Sequence, residues 1–269
     1  MKVVSAAWDW TATVWDVETG KATSIDHSYE IPSISWSPDG TKLAFASKDN
    51  TVCVWDAEMK EELHCFEGHK SDVFVAHWNP NGRKIVSASH DGTVRTWNTE
   101  TGKEIRCVEE CALRSIVWSP DGKKLAYATD VQTLNVWDEE TNKLVVTFYL
   151  SGVHSSAHAL AWSSNGKRLV SGHSDGSMHL WDLDTGQLIN SISNSEYDVR
   201  SLQKIRVSTE GSVYDPQTGK RLNAIQCHHE MVCSIMSSPD GTKLASASED
   251  GTIRIWRFVC GDELDVRMQ

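Results

Sequence analysis

Apolar and polar residues alternate along this chain in short runs, each a few residues long and each closed by a turn signal. The run Lys84-Ile85-Val86-Ser87-Ala88-Ser89 ends at Asp91-Gly92, and Thr93-Val94-Arg95-Thr96-Trp97 follows; after a further turn comes Lys103-Glu104-Ile105-Arg106-Cys107-Val108. Helical periodicity is absent throughout, so the pattern predicts an all-β chain and excludes a helical solenoid. The turns are as regular as the strands: Ser37-Pro38-Asp39-Gly40, Asn79-Pro80-Asn81-Gly82, Ser119-Pro120-Asp121-Gly122, Ser163-Ser164-Asn165-Gly166 and Ser238-Pro239-Asp240-Gly241. In such turns proline presets φ, and glycine accepts the positive φ that other residues resist. Another turn places glycine five residues past a tryptophan, at Gly20, Gly102, Gly186 and Gly261.

The runs belong to a longer period. Trp-Asp or a close variant recurs at Trp15-Asp16, Trp55-Asp56, Trp97-Asn98, Trp137-Asp138, Trp181-Asp182, Tyr214-Asp215 and Trp256-Arg257, with spacings of 40, 42, 40, 44, 33 and 42. A second series, Trp36, Trp78, Trp118 and Trp162, lies 19 residues before the tryptophan of its own repeat. With Trp8 and Trp10 these account for all twelve tryptophans, so tryptophan here is chiefly a repeat-locked core residue. Four short antiparallel strands in roughly 40 residues predict a propeller blade. The expected architecture is one domain over residues 1–269, with repeats at about 1–26, 27–67, 68–108, 109–150, 151–193, 194–226 and 227–269.

At these residues the chain resembles the WD-repeat (WD40) family, and the resemblance implies a seven-bladed β-propeller. It also implies a His-Ser-Asp-Trp network that ties each blade together. Blade three carries it complete as His69, Ser87, Asp91 and Trp97, and blade seven as His228, Ser246, Asp250 and Trp256. Blade five has Ser171, Asp175 and Trp181, with His154 one residue out of register. Blade two has His27, Asp49 and Trp55 but sets Phe45 at the serine position, blade four keeps only Trp137, and blade six keeps none. Blades three and seven are therefore expected to be firm, and four and six loose. Lys2 to Ala7 aligns with Lys42 to Ser47, so blade one is expected to lack its innermost strand. Further residues are then expected before Met1 in a longer natural form. Blade six is degenerate, and Asp262–Met268 reads as blade seven's own outer strand, so ring closure by strand exchange is not expected.

The resemblance further implies docking of partner proteins on the face that carries the loops entering the inner strands and the residues before the turn aspartates. The matching positions are Glu30, Pro32 and Lys48 in blade two, Asp72, Phe74 and His90 in blade three, and Ala112, Arg114 and Asp130 in blade four. Blade five supplies His158 and Ser174, blade six Asp198 and Arg200, and blade seven Met231, Cys233 and Glu249. Trp8 holds the equivalent position in blade one, and Trp10 lies just past that turn. An aromatic residue at a turn tip has no neighbouring layer to bury it, which makes Trp8 the leading anchor; the alternative is that Trp8 and Trp10 cover the gap left by the absent strand.

Charge and composition narrow the partner class. A net charge of −11 disfavours nucleic acid, whose phosphates need a basic surface. No apolar run reaches the ~18 residues of a membrane span, and the N-terminus lacks a signal-peptide core. The seven cysteines are odd in number and scattered, which points to reduced thiols and a cytoplasmic setting, with the nucleus as the alternative. Gly172-His173-Ser174-Asp175-Gly176 matches a nucleophile elbow in letters, but it falls on a strand-to-strand turn of the repeat. Cys227-His228-His229 with Cys233, and Cys107 with Cys111, lack the paired spacing of a zinc site. No cofactor, metal or small-molecule substrate is expected. The predicted inner strands, Ile34-Ser35-Trp36, Val75-Ala76-His77-Trp78, Ile116-Val117-Trp118 and Leu160-Ala161-Trp162, offer His77 as their single titratable group, too little for an enzyme at a channel mouth. The expected function is a non-catalytic scaffold or recognition module that binds other proteins or peptides. The alternatives are a structural subunit or sensor fragment of a larger assembly and, less favoured, a propeller enzyme.

Overall fold

The computed structural model describes residues 2–6, 10–16, 18–58, 61–109, 113–130, 132–150, 157–163, 165–173, 177–192, 206–207, 212–214, 221–224, 232–237, 243–248, 252–259 and 263–267. Every regular element among them is a β-strand. The chain falls into two compact units, 1–122 and 123–269. In the first unit, β1 (Lys2–Ala6), β2 (Thr11–Asp16) and β3 (Ala22–Asp26) form a three-stranded antiparallel sheet. β4 (Ser33–Trp36), β5 (Lys42–Ala46), β6 (Val52–Asp56) and β7 (Glu62–Phe66) form a four-stranded sheet in chain order. So do β8 (Val73–Trp78), β9 (Lys84–Ser89), β10 (Thr93–Asn98) and β11 (Glu104–Glu109), and β12 (Leu113–Trp118) is this unit's last strand.

The second unit opens with β13 (Lys124–Thr129), β14 (Thr133–Asp138) and β15 (Lys143–Tyr149), paired antiparallel in that order. Next comes the four-stranded sheet of β16 (Ala157–Trp162), β17 (Arg168–His173), β18 (Met178–Asp182) and β19 (Gln187–Ile192). β20 (Arg206–Val207), β21 (Ser212–Tyr214) and β22 (Arg221–Ala224) are short strands in the weakest repeat. β23 (Val232–Ser237), β24 (Lys243–Ser248), β25 (Ile253–Val259) and β26 (Glu263–Arg267) complete a four-stranded sheet. Among the described residues the first sheet thus has three strands, and Glu263–Arg267 supplies an outer strand, in line with the repeat alignment.

The Trp-Asp corner has a physical basis in the turn that follows it. Asp16 accepts the backbone N–H of Glu18 and Thr19 through Oδ1, at 2.9 and 3.0 Å, while Gly20 N–H returns to the Asp16 carbonyl at 2.8 Å. Asn98 repeats this with Glu100, Thr101 and Gly102, and Asp182 with Thr185 and Gly186. Bonds from backbone N–H groups hold the carboxyls of Asp16, Asp138 and Asp182 below the usual carboxylate range. A different turn returns the N–H of Gly40, Gly82 and Gly122 to the carbonyl three residues earlier. Gly122 sits there at φ +70, and a Cβ would come within 2.8 Å of Asn79 Oδ1. The same asparagine donates to the Gly122 carbonyl at 2.9 Å, so glycine is required both by φ and by this close approach.

The four-residue network is fully formed in the β8–β11 sheet. Trp97 donates its indole N–H to Ser87 Oγ at 2.8 Å, and His69 Nε2 lies 2.8 Å from the same oxygen. His69 Nδ1 is 3.1 Å from Asp91 Oδ2, which also accepts Lys70 N–H at 2.8 Å. Burial pushes the His69 pKa down against the pull of Asp91. Burial alone raises that of Asp91, but bonds from Lys70, Thr93 and His69 outweigh it and leave the carboxyl well below its usual range. Two other sheets vary the theme. In the first, Trp15 donates to Ser5 Oγ at 3.0 Å, a partnership the sequence reading did not assign. In the β16–β19 sheet, Trp181 donates to Ser171 Oγ at 2.9 Å, and His173 Nε2, from the same strand as Ser171, lies 2.9 Å from that oxygen.

Where the serine is replaced, the accounting changes. Phe45 stacks on Trp55 with centroids 6.0 Å apart, and the buried Trp55 Nε1 has no acceptor among the described residues. Ring packing replaces a polar bond there, at the cost of an unmet donor. The β13–β15 strands, expected to be loose, pair over their length and carry their own polar ladder. Thr147 donates to Asn135 Oδ1 at 2.8 Å, and the hydroxyls of Thr129 and Thr133 are 2.8 Å apart. His228 and Asp250 lie outside the described residues, and so do the side chains of Ser246 and Trp256. The backbone register Leu244↔Trp256 and Ser246↔Arg254 nonetheless repeats Ile85↔Trp97 and Ser87↔Arg95.

Ser87→Ala would strand both the Trp97 N–H and the His69 imidazole in a buried site. Equilibrium denaturation is expected to show a loss of about 1–3 kcal/mol, with the loss abolished in a Trp97→Phe, His69→Phe background if the shared hydroxyl is its source.

Candidate protein-docking edge

The inner strands β4, β8 and β12 lie side by side in the first unit and begin at a common edge. Ser35 Oγ donates to the Ala76 carbonyl at 2.9 Å, and Trp118 Nε1 donates to the His77 carbonyl at 3.4 Å. At the edge itself, Val73 N–H reaches the Ser47 carbonyl at 3.1 Å, tying two successive sheets together. Within each sheet a backbone bond latches the loop entering the inner strand to the turn before the repeat aspartate: Lys48 N–H to the Glu30 carbonyl at 3.1 Å, and His90 N–H to the Asp72 carbonyl at 3.0 Å.

These bonds bring the sequence-derived positions together in pairs. Lys48 Nζ is 2.6 Å from Glu30 Oε2, an exposed ion pair of small energetic value that fixes the direction of both side chains. Phe74 packs its half-buried ring on exposed His90, with centroids 5.0 Å apart and a tilt of 38°. Pro32 is exposed just before β4, and Arg114 is exposed at the second position of β12, as Phe74 is at the second position of β8. Asp130 follows β13 in the second unit and is half-buried. Trp8, Ala112, Ser174, Asp198, Arg200, Met231 and Glu249 lie outside the described residues. His158 and Cys233 are located by their strands alone.

Trp10 is the residue that sequence reasoning undervalued. It adopts φ +69 at the turn position filled by Gly92 at φ +79 and Asn50 at φ +74, each five residues before its repeat tryptophan. A bulky residue in the left-handed region costs about 1–2 kcal/mol, and strain of this kind concentrates at functional positions. The side chain is 55% exposed. His27 N–H holds the Trp10 carbonyl at 2.9 Å, and Tyr29, exposed to 51%, donates its N–H to His27 Nδ1 at 3.2 Å. The signal was available in the spacing, since Trp10 takes the place of a glycine in the aligned repeat.

Gly172 and His173 end β17, and β17 pairs antiparallel with β18, so the Gly-x-Ser-x-Gly letters join two strands of one sheet. No group of three or more His, Cys, Asp or Glu side chains among the described residues is placed to share a metal ion. No helix among the described residues is long and apolar enough to cross a membrane. His77 is part-buried on β8, and its burial lowers its pKa to about 4. In the second unit a cavity of about 400 Å³ lies along the outer strands, lined by Phe148, Tyr149, His179, Trp181 and Leu188.

Capped Trp-Asp corners, four-stranded meanders and laterally joined inner strands together define a repeat protein of the β-propeller class. The chain matches one in the crystal structure of the mitotic checkpoint complex with a TM-score of 0.84 and 23% identity, over 96% of this chain and 84% of that one; the likeness is one of fold. The family model for the WD domain, G-beta repeat, matches residues 60–98 and 219–257, and that for the anaphase-promoting complex subunit 4 WD40 domain matches residues 7–78 and 149–207. The chain belongs to the WD-repeat family. Periodic tryptophan protein 2 of Arabidopsis thaliana is 29% identical over 70 residues, 25% of this chain and 8% of that protein. The U5 small nuclear ribonucleoprotein 40 kDa protein of Pongo abelii is 41% identical over 49 residues, 18% of this chain and 14% of that protein. The serine-threonine kinase receptor-associated protein of Bos taurus is 42% identical over 48 residues, again 18% of this chain and 14% of that protein. The matches therefore span a small part of each relative's length.

The lowered pKa of His77 makes a pH prediction. Above about pH 6.5 the imidazole is neutral in both folded and unfolded chains. As pH falls from there towards 4 the unfolded chain takes up the proton first, so stability declines. His77→Gln is expected to flatten that part of the stability–pH curve; an unchanged slope would show that His77 titrates normally.

Proposed function

We propose that this chain is a seven-bladed WD-repeat propeller acting as a non-catalytic scaffold, and that it holds partner proteins or peptides at the edge where its inner strands begin. The carrying observation is the run of exposed or half-buried side chains along that edge, Pro32, the Lys48–Glu30 pair, the Phe74–His90 pair and Arg114, each anchored by a backbone bond or strand start. A fixed frame that presents variable side chains loses little conformational entropy on binding. Two relatives are named as a receptor-associated protein and a ribonucleoprotein component, which supports an assembly role for this chain. The net charge of −11 favours basic protein partners over nucleic acid. Scattered cysteines support a cytoplasmic setting.

Trp8 and Phe74 are proposed as anchors, together with Trp10, whose strained and exposed position suits a contact residue. Affinity purification with mass spectrometry on the wild type and on a Trp8→Ala, Phe74→Ala variant tests the reading. Loss of the captured partners from a folded variant is expected, and full retention would remove the assignment. Trp10→Asn, which copies the residue of the next sheet, should leave stability unchanged or raise it by up to about 1 kcal/mol while partner affinity falls. A variant that loses both together would mark Trp10 as structural.

A further inference from the structure

Cys53 and Cys65 stand directly opposite each other on β6 and β7, and their sulfurs are 3.5 Å apart. The two environments differ. Cys53 is buried, with Thr51 Oγ1 at 3.4 Å and His27 Nε2 at 3.8 Å from its sulfur. Cys65 is exposed on the outer strand. A disulfide needs sulfurs at about 2.05 Å and Cβ atoms about 3.5–4.5 Å apart, which directly opposed strand residues approach. Closing the gap calls for a side-chain adjustment of roughly 1.5 Å with no change of strand register.

We propose that Cys65 and Cys53 form an oxidative modification site, at which a hydroperoxide converts the opposed thiols to a cross-strand disulfide. Cys65 is the attacking group and Cys53 the resolving one. The Cys65 thiolate attacks a peroxide oxygen; the S–O bond forms, the O–O bond breaks, and the departing hydroxide leaves as water with the proton that Cys65 gave up. Cys53 sulfur then attacks the Cys65 sulfenic sulfur. The S–S bond forms, the S–O bond breaks, and the released hydroxide combines with the Cys53 proton as a second water. Two thiols lose two electrons in total, and one hydrogen peroxide is reduced to two waters.

The order of attack follows from the hydrogen bond between the two groups. Donation by the Cys53 S–H pushes the Cys65 pKa down, while that donation and then burial push the Cys53 thiol up. The thiolate is the nucleophile, so the exposed member of the pair reacts first. His27 Nε2 lies 3.8 Å from the Cys53 sulfur, within reach of the thiolate needed in the second step. Exposed Cys107 lies opposite Arg95 across β10 and β11 and serves as an internal control without an opposed thiol.

The test treats the full chain with hydrogen peroxide and maps its thiols by peptide mass spectrometry, with dimedone present to trap sulfenic acid. A Cys53–Cys65 linked peptide, two mass units lighter than the two thiol peptides, is expected, with Cys65 consumed about tenfold faster than Cys107. Cys53→Ser should leave Cys65 as a dimedone adduct and Cys65→Ser should leave Cys53 reduced; circular dichroism would verify that each variant is folded. Oxidation of Cys65 no faster than Cys107, or a sulfenic acid at Cys65 that persists in the wild type without the link, would overturn the proposal.

Discussion

An indole N–H bonded to a serine hydroxyl on the adjoining strand recurs in three of the sheets, and the contacts around it are shared with the loops. Trp15, Trp97 and Trp181 each donate to a serine ten residues earlier, on the strand beside them. The bond forms in one strand register with one turn length, a register that Leu43↔Trp55 and Leu125↔Trp137 share without the serine. A one-residue slip would turn every side chain of the strand to the opposite face. His69 and Asp91 extend the bond in one sheet to the loop that enters the inner strand, through Lys70 N–H. The edge proposed for docking takes its geometry from this chain of contacts, because Asp72 and Phe74 follow directly on the loop so held.

The same constraint explains how the repeats tolerate change. Phe45 removes the acceptor but fills the space with a stacked ring, and the sheet around it remains regular. In the β16–β19 sheet a histidine two residues along the serine's own strand takes the place that His69 fills from a loop. The frame therefore depends on an apolar or polar partner for each indole. The surface residues at the strand starts are under no such demand.

Much of the fold was legible because period, turn chemistry and strand alternation reinforce one another. Ser37-Pro38-Asp39-Gly40 and its counterparts mark the first hairpin of a sheet, and the Trp-Asp corners mark the last. Ser5 was equally legible, since it stands as far before Trp15 as Ser87 before Trp97. The polar ladder of Thr129, Thr133, Asn135 and Thr147 was not readable, because it replaces the family's network with cross-strand pairs that have no fixed spacing along the chain. Nor was the strain at Trp10: a letter pattern shows a tryptophan where glycine is usual, and only the backbone shows that it keeps glycine's conformation. The pairing of Glu30 with Lys48 and of Phe74 with His90 likewise needed the latch between loop and turn.

The central claim is that partners are held at the edge where the inner strands begin. Hydrogen–deuterium exchange, measured on the chain alone and on its complex with a captured partner, tests it residue by residue. Protection on binding is predicted at residues 30–33, 47–49, 72–75 and 90, with the outer strands β7, β11 and β15 unchanged. Protection confined to those outer strands, with none at the edge, would contradict it.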